Sequence, residues 1–166
     1  LEETSSICFR ISSLYPEVAD DFFCDVIRDC RVRPHFHISV QSGSDSVLKR
    51  MARAYTADDV RVACRKLSEA KKNPFLACDI ITGFPGETAS DFEDTLSLCR
   101  DCGFAWVHIF PFSERPGTPA CGMKPKIPQS VSGERARVLG EWAALSKIRY
   151  IESCIGNTYS AVLETV

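Results

Sequence analysis

The chain has 166 residues, of which 45% are hydrophobic and 25% are charged, values typical of one globular domain large enough to bury a core. A formal net charge of −2 provides no overall electrostatic attraction to nucleic acid, although it leaves room for a local basic patch. No apolar run approaches the roughly 20 residues that span a bilayer, so no membrane segment is predicted.

Nine cysteines are a high number for this length. Their odd count, the acidic first residues without a secretory signal, and the apolar positions of several of them predict reduced thiols in a cytoplasmic protein. Cys99 and Cys102 form the only C-x-x-C pair, and without a second pair at zinc spacing we expect no metal site there. The chain starts at Leu1 without an initiator methionine, from which we expect it to be part of a longer protein.

Strand-like and helix-like segments alternate along the chain. Apolar and β-branched runs predict strands at residues 7–13, 35–40, 75–82 and 104–110. Helices are predicted from Pro16 to Cys30, from Asp45 onward, after the capping signals at Thr56 and Thr88, and from Ser132 to about Gly156. A further strand is predicted over 159–166, at the start of a separate β domain.

Apolar residues at helical spacing predict which faces of two helices meet the core. In the first helix these residues are Val18, Phe22, Val26 and Ile27. In the last helix they are Val138, Trp142, Leu145 and Ile148.

This alternation predicts right-handed βαβ units and a parallel sheet. The expected fold class is α/β: a partial (β/α) barrel fragment with a parallel sheet of about four strands and helices on the outside. Four strands cannot close an eight-stranded barrel, so the first strand would be an open edge through which two copies could dimerise.

Candidate site residues stand at or just after the strand ends, which share one edge of a parallel sheet where ligands bind. They are Ser39, Gln41 and Ser42 of the second strand, Asp79, Ile81, Gly83 and Phe84 of the third, and Phe112 and Arg115 after the fourth.

Each candidate also has a purely structural interpretation. The Gly83–Gly86 turn suits a close ligand approach but equally a tight strand-to-helix turn. Asp79, in an apolar strand, needs a partner such as an arginine or a backbone N–H. Arg115 could hold a phosphate or carboxylate, or be an ordinary surface arginine. His35 and His37 share one strand face, but no further ligand is placed beside them, so no metal is expected.

Three motifs in order make the chain resemble a known family. They are H-x-H-x-S-x-Q-S-G-S-D followed by L-K-R-M-x-R-x-Y-T at 35–56, D-I-I-x-G-F-P-G-E-T-x-x-D-F at 79–92, and H-x-F-P-x-S-x-R-x-G-T-x-A at 108–120. They resemble the fourth-, fifth- and sixth-strand segments of radical S-adenosylmethionine methylthiotransferases acting on tRNA. The sequence around 108–123 is most similar to the branch that modifies N6-threonylcarbamoyladenosine, and the branch that modifies isopentenyladenosine is second.

The resemblance implies a cofactor and a reaction. The family has a (β/α)6 partial barrel in which a 4Fe–4S cluster reductively cleaves S-adenosylmethionine, and the resulting radical abstracts hydrogen from the adenine ring of tRNA. A second 4Fe–4S cluster in an N-terminal domain carries sulfur, and a C-terminal TRAM domain binds tRNA. By motif position, Ser39, Gln41 and Ser42 would contact the ribose or amino-acid part of S-adenosylmethionine, and Asp79 would be a further cofactor-binding residue. Ile81, Gly83 and Phe84 would flank its adenine, and Phe112 and Arg115 would lie near the cofactor or the incoming nucleotide.

The chain departs from the pattern of this family in its cysteines. It contains no C-x-x-x-C-x-x-C, so neither a cluster nor a catalytic residue is expected in this piece, and we expect it to be inactive alone. The implied organisation is barrel strands three to six over 1–127, the C-terminal barrel helix over 128–155, and the start of a truncated TRAM-like domain over 156–166. The alternative function is a cluster-free (β/α) barrel module that binds a phosphate-bearing ligand through the Arg115 loop.

Overall fold

The structure is a computed structural model that describes residues 7–159. Its strands are β1 (Phe9–Leu14), β2 (Val32–Gln41), β3 (Phe75–Thr82) and β4 (Trp106–Pro111). Its helices are α1 (Asp21–Ile27), α2 (Asp45–Arg50), α3 (Ala57–Ala70), α4 (Ala89–Cys102), α5 (Pro119–Gly122) and α6 (Gln129–Cys154), with a 3₁₀ turn at Pro16–Val18. The strand predicted at 159–166 lies almost entirely outside the described residues, and the division into 1–127, 128–155 and 156–166 stays a prediction.

The strands form one parallel sheet in the order β1-β2-β3-β4. The predicted fold class is therefore confirmed: an α/β architecture with a four-stranded parallel sheet. Within the described part of the chain, β1 and β4 are the edges of this sheet. None of the helices in residues 7–159 combines the length and the apolar character needed to cross a bilayer.

Local signals determine where α3 and α4 begin. Thr56 and Thr88 each accept a hydrogen bond from the N–H three residues later, while Asp59 and Asp91 accept from the Thr56 and Thr88 N–H groups in return. These two capping boxes satisfy N–H groups that a helix start leaves unpaired. Gly103 ends α4 with φ +60°, a conformation that favours glycine. Both predicted capping signals are confirmed.

The predicted inner face of the first helix is wrong. Asp20 caps α1 by accepting from the Phe23 N–H, so the helix starts five residues after Pro16 and ends at Ile27. Val18, Phe22 and Val26 are 43%, 77% and 38% exposed, and of the predicted set only Ile27 is fully buried. The four-residue spacing identifies a shared face but does not specify that this face meets the core.

The predicted inner face of the last helix is wrong in its C-terminal half. Leu145 and Ile148 are more than half exposed, whereas Val138 and Trp142 pack against the core. The buried face of α6 instead carries Leu139 together with the small residues Ala143 and Ser146. Small side chains let the helix approach the sheet closely, and the Ser146 hydroxyl donates to the Phe104 carbonyl over 2.7 Å.

The two faces of the sheet differ in burial. The helix-covered face carries the large core residues, among them Phe36, Ile38, Val40, Leu76 and Ile80. On the opposite face β2 presents His37, Ser39 and Gln41, and β3 presents Asp79 and Ile81, all of which are half-buried. The second face therefore places polar side chains of neighbouring strands side by side at a partly accessible surface.

Candidate functional site

A cleft of about 710 Å³ opens at the carboxyl edge of the sheet. It brings together five of the predicted residues: Gln41, Asp79, Ile81, Phe112 and Arg115. The end of β2, the end of β3 and the loop after β4 provide them, because parallel strands all finish at this edge. Its remaining lining residues are Met51, Arg53, Phe110, Pro111, Ser113, Thr118 and Ala120.

Four predicted residues do not line the cleft but support its walls. Ser42 is fully buried, and its hydroxyl accepts from the Ser44 N–H. The Ser39 carbonyl accepts from the Tyr55 hydroxyl over 2.6 Å, and burial raises the pKa of that phenol to about 12. Phe84 is buried and packs edge-on against Phe112, with ring centroids 5.3 Å apart.

Gly83 is the fourth of these residues. Its φ is +75°, and a Cβ there would lie 2.5 Å from Ser132 of α6. Both the backbone conformation and the contact therefore require glycine. The turn at Gly83 is thus shaped by packing against α6 as well as by its own sequence.

Gln41 has an unusual backbone conformation at the carboxyl edge of the sheet. Its φ is +67°, in the left-handed region that non-glycine residues seldom adopt. The pairing of β2 with β3 also shifts register between Ile38 and Gln41. Strain of this kind persists where the surrounding structure over-determines it, and it concentrates at ligand-binding positions. The shift presents Gln41 at the cleft while Ser42 turns into the core.

Asp79 has a partner other than those considered from the sequence. Its Oδ1 accepts from His37 Nε2 over 2.9 Å, and both side chains remain about one-fifth exposed. The His108 ring lies beside His37, with centroids 5.2 Å apart. The strand pairing that sets Asp79 opposite His108 and His37 opposite Ala77 produces this cluster. Asp79 is thereby held in place without being neutralised by an arginine.

Sequence reasoning missed Glu87 and Arg135, which hold the β3–α4 turn. Glu87 is 3% exposed, accepts from the Gly83 N–H over 2.6 Å, and forms an ion pair with Arg135 of α6. Burial raises the pKa of this carboxyl, and the Gly83 N–H and the Arg135 guanidinium oppose that rise. Glu87 stands within the predicted turn motif, but its partner is 48 residues away, which no local pattern reveals.

Arg53 was also missed as a cleft residue. Its side chain lines the cleft, and its Nε is buried without a hydrogen-bond partner among residues 7–159. A guanidinium without a carboxylate partner is suited to an anionic ligand group. Its neighbour Arg50 is engaged differently, because it donates to the Gly86 carbonyl over 3.0 Å.

These residues match the chemistry of S-adenosylmethionine. Arg53 could hold a carboxylate, Gln41 and Asp79 could bind hydroxyl groups, and Ile81 with Phe112 offers apolar surface to a flat ring. The donor set for an iron–sulfur cluster differs. Residues 7–159 contain no group of three or more histidine, cysteine or acidic side chains placed to hold a metal, so these residues do not provide the ligands of a cluster.

Comparison with known proteins identifies the family. The profile of the Radical SAM superfamily matches residues 4–99. The chain is 49% identical over 164 residues to the threonylcarbamoyladenosine tRNA methylthiotransferase MtaB of Treponema pallidum, covering 99% of this chain and 34% of that protein. The proteins of the same name from Thermotoga maritima and Rickettsia prowazekii are 46% and 38% identical, each over 93% of this chain and 36% and 37% of their own length. The chain thus spans about a third of these curated relatives.

Solved structures share the fold at low sequence identity. Coproporphyrinogen III oxidase (HemN) from Escherichia coli, a radical SAM enzyme, superimposes with a TM-score of 0.69 at 16% identity, over 84% of this chain and 32% of that one. The radical S-adenosylmethionine methyltransferase TsrM from Kitasatospora setae does so with a TM-score of 0.57 at 16% identity, over 68% and 22%. Because the family profile covers more than half of the chain, and the resemblance first seen in three motifs is confirmed, the chain belongs to the radical SAM superfamily.

Proposed function

We propose that this chain is the S-adenosylmethionine-binding part of a tRNA methylthiotransferase that modifies N6-threonylcarbamoyladenosine beside the anticodon. The observation that supports this most directly is the cleft at the carboxyl edge of a parallel sheet. An arginine without a side-chain partner among residues 7–159 meets a carboxylate, an amide and apolar side chains there. The printed names of the curated relatives supply the reaction and the modified nucleoside. They favour this proposal over the cluster-free phosphate-binding module.

The chain's own residues would bind and orient the cofactor. The Asp79 carboxylate, fixed by His37, would accept hydrogen bonds from the ribose hydroxyls, and the Gln41 amide would accept or donate there. Arg53 would pair with the amino-acid carboxylate. Ile81 and Phe112, with Gly83 and Phe84 behind them, would exclude water from the adenine, and Ser39 and Ser42 would hold the strand end. Arg115 would contact the substrate nucleotide. When bound at a cluster, S-adenosylmethionine supplies the radical chemistry typical of the family.

Several parts of the reaction would come from a longer polypeptide. We propose that both 4Fe–4S clusters are held outside residues 1–166, that the chain is inactive alone, and that an N-terminal domain and a TRAM domain complete the protein. The partner would be tRNA and the compartment the cytoplasm.

Isothermal titration calorimetry of the 166-residue chain with S-adenosylmethionine tests the cofactor assignment. We expect Asp79→Asn and Arg53→Ala each to weaken binding about tenfold, because each removes a charged group from the cleft. Arg61→Ala is the matched control. Arg61 does not line this cleft and forms an ion pair with Asp101 at 2.9 Å, so this substitution should leave the affinity unchanged. Equal affinities for all variants would contradict the assignment.

The reaction is tested with the full natural polypeptide that contains this chain. After anaerobic reconstitution, mass spectrometry of nucleosides should detect a methylthio group on tRNA that carries threonylcarbamoyladenosine, and none on tRNA that carries isopentenyladenosine. The reverse preference would mean that the substrate is isopentenyladenosine and not threonylcarbamoyladenosine. Modification of neither tRNA would overturn the proposed reaction.

A further inference from the structure

A second cleft, of about 320 Å³, opens at the opposite edge of the sheet. Asn73 precedes β3 and Gly103 precedes β4, so this cleft lies at the amino-terminal ends of the strands. At about 3.3 Å per residue, the eight residues of β3 separate it from the cofactor cleft by roughly 25 Å. Its main lining residues are Asn73, Arg100, Trp142, Arg149, Tyr150 and Ser153.

The cleft carries positive charge. Among the residues that the structure describes, none that lines it is acidic, so no carboxylate of residues 7–159 balances this charge within the cleft. Within residues 7–159, the Arg149 side chain forms neither a hydrogen bond nor an ion pair, so its guanidinium is available. Arg100 is paired with Glu93 over 3.2 Å, but both side chains are more than half exposed, and such surface pairs are weak enough to exchange for a ligand. Two guanidinium groups at one opening are suited to a phosphate group.

The walls of the cleft are fixed before any ligand arrives. The Asn73 side chain donates to the Ser153 hydroxyl over 3.1 Å, and the Tyr150 hydroxyl donates to the Asn73 carbonyl over 3.2 Å. The Tyr150 ring packs edge-on against Phe75, with centroids 5.1 Å apart. Opposite them, Gly103 leaves open space, because a Cβ added there would meet nothing within 4 Å. A pre-organised wall lowers the entropic cost of binding.

Trp142 adds a flat apolar surface to this charged opening. It is half-buried, packs against the core on one side, and lines the cleft on the other. An indole beside guanidinium groups is the arrangement that binds a planar ring joined to a phosphate. We propose that this cleft is a binding site for a phosphate ester that carries a planar base, of the mononucleotide class. This inference does not rest on the proposed function, since it uses neither the cofactor cleft nor its residues.

Tryptophan fluorescence of the 166-residue chain tests the site directly. Trp106 and Trp142 are the only tryptophans, so in a Trp106→Phe background Trp142 alone reports on the cleft. Uridine 5′-monophosphate should change this fluorescence saturably, and inorganic phosphate should compete. Uridine, which lacks the phosphate, should bind at least tenfold more weakly. A pyrimidine nucleotide is used so that the probe does not resemble the adenosine part of S-adenosylmethionine.

The charge requirement is tested on the same background. Arg149→Ala and Arg100→Ala should each weaken the binding of uridine 5′-monophosphate about tenfold. Lys147→Ala removes the same charge two residues from Arg149, but Lys147 does not line this cleft and in the unmodified chain lies over Trp106, 4.8 Å from the ring centroid, so binding should change by less than twofold. The proposal is overturned if fluorescence does not saturate by about 10 mM nucleotide, or if all three variants bind equally.

A phosphodiester probe distinguishes two sources of the same ligand chemistry. If the dinucleoside monophosphate UpU binds as tightly as uridine 5′-monophosphate, the cleft accepts a phosphate within an RNA strand. If UpU binds at least tenfold more weakly, the ligand is a free mononucleotide. Either result supports a phosphate-ester site, provided that Arg149→Ala weakens it.

Discussion

Asp91 connects the start of α4 to the turn that follows β2. Its carboxylate accepts from the Ser44 and Ser46 hydroxyls and from the N–H and hydroxyl of Thr88. Partial burial would raise the pKa of this carboxyl, but the hydrogen bonds from Ser44, Ser46 and Thr88 lower it well below its ordinary value of 3.8. Because the folded state prefers the ionised form, this carboxylate stabilises the fold above about pH 4 and loses that contribution as the pH falls further.

We therefore expect Asp91→Asn to lower the free energy of unfolding by about 2 kcal/mol at pH 7, where a charged acceptor is lost. The difference from the unmodified chain should shrink steadily as the pH falls below about 4, measured by urea unfolding at pH 7, 5, 4 and 3. Asp94→Asn, at an exposed position on the same helix, should cost less than about 0.5 kcal/mol. A difference at Asp91 that is independent of pH would contradict this role.

For individual residues, the sequence predicted where a side chain lies better than which side chain it contacts. Gln41, Asp79 and Arg115 were predicted for one sheet edge because strand ends converge there, and they do line one cleft. The partners came from residues far apart in the chain, such as His37 for Asp79, 42 residues away. A tertiary contact of this kind leaves no trace in local spacing.

Among the elements, α6 best shows what periodicity can and cannot decide. Leu139 is fully buried and Leu145 is 56% exposed, although both are leucines on the same helix. Leu139→Ala should lower the free energy of unfolding by about 3 kcal/mol, because it leaves a cavity in the core. Leu145→Ala should change it by less than about 0.5 kcal/mol. Urea unfolding at neutral pH measures both, and equal costs would mean that the inner face of α6 has been misassigned.

The elements that sequence predicted most closely are those with strong local determinants. β3 has its predicted bounds because its nearly continuous apolar run is bounded by Asn73-Pro74 on one side and Gly83 on the other. The starts of α3 and α4 follow from the capping residues Thr56 and Thr88. The predicted face of α1 and the C-terminal half of the predicted face of α6 were wrong because exposed apolar residues can share the spacing of a core stripe, and only packing against the sheet distinguishes the two.

At the scale of the whole molecule, one side of the fold carries unpaired apolar surface. Val18, just before α1, and Phe22 and Val26 within it are exposed, and among residues 7–159 β1 is an edge strand of the sheet. Such patches on a protein surface favour association. Dimerisation through this side of the sheet stays a prediction, and sedimentation velocity can test it.

We expect the chain to self-associate with increasing concentration and Phe22→Ser to weaken that association severalfold. The urea midpoint should hardly change, because the Phe22 side chain is already 77% exposed. Ile155→Ser removes an equally exposed apolar side chain, 76% exposed, from the end of α6 and serves as the comparison. Identical sedimentation of the chain and both variants at all concentrations would refute association through α1.

The contacts of α6 with the β3–α4 turn have a consequence for exchanging parts between relatives. The family profile ends at residue 99, yet Ser132 packs on Gly83 and Arg135 pairs with Glu87 from beyond that boundary. A graft of the profile-matched segment into another radical SAM protein would carry Glu87 into the new host without its counterion. A graft of the β3–α4 turn therefore has to include residues 129–135 as well, even though about thirty residues of chain lie between the two segments.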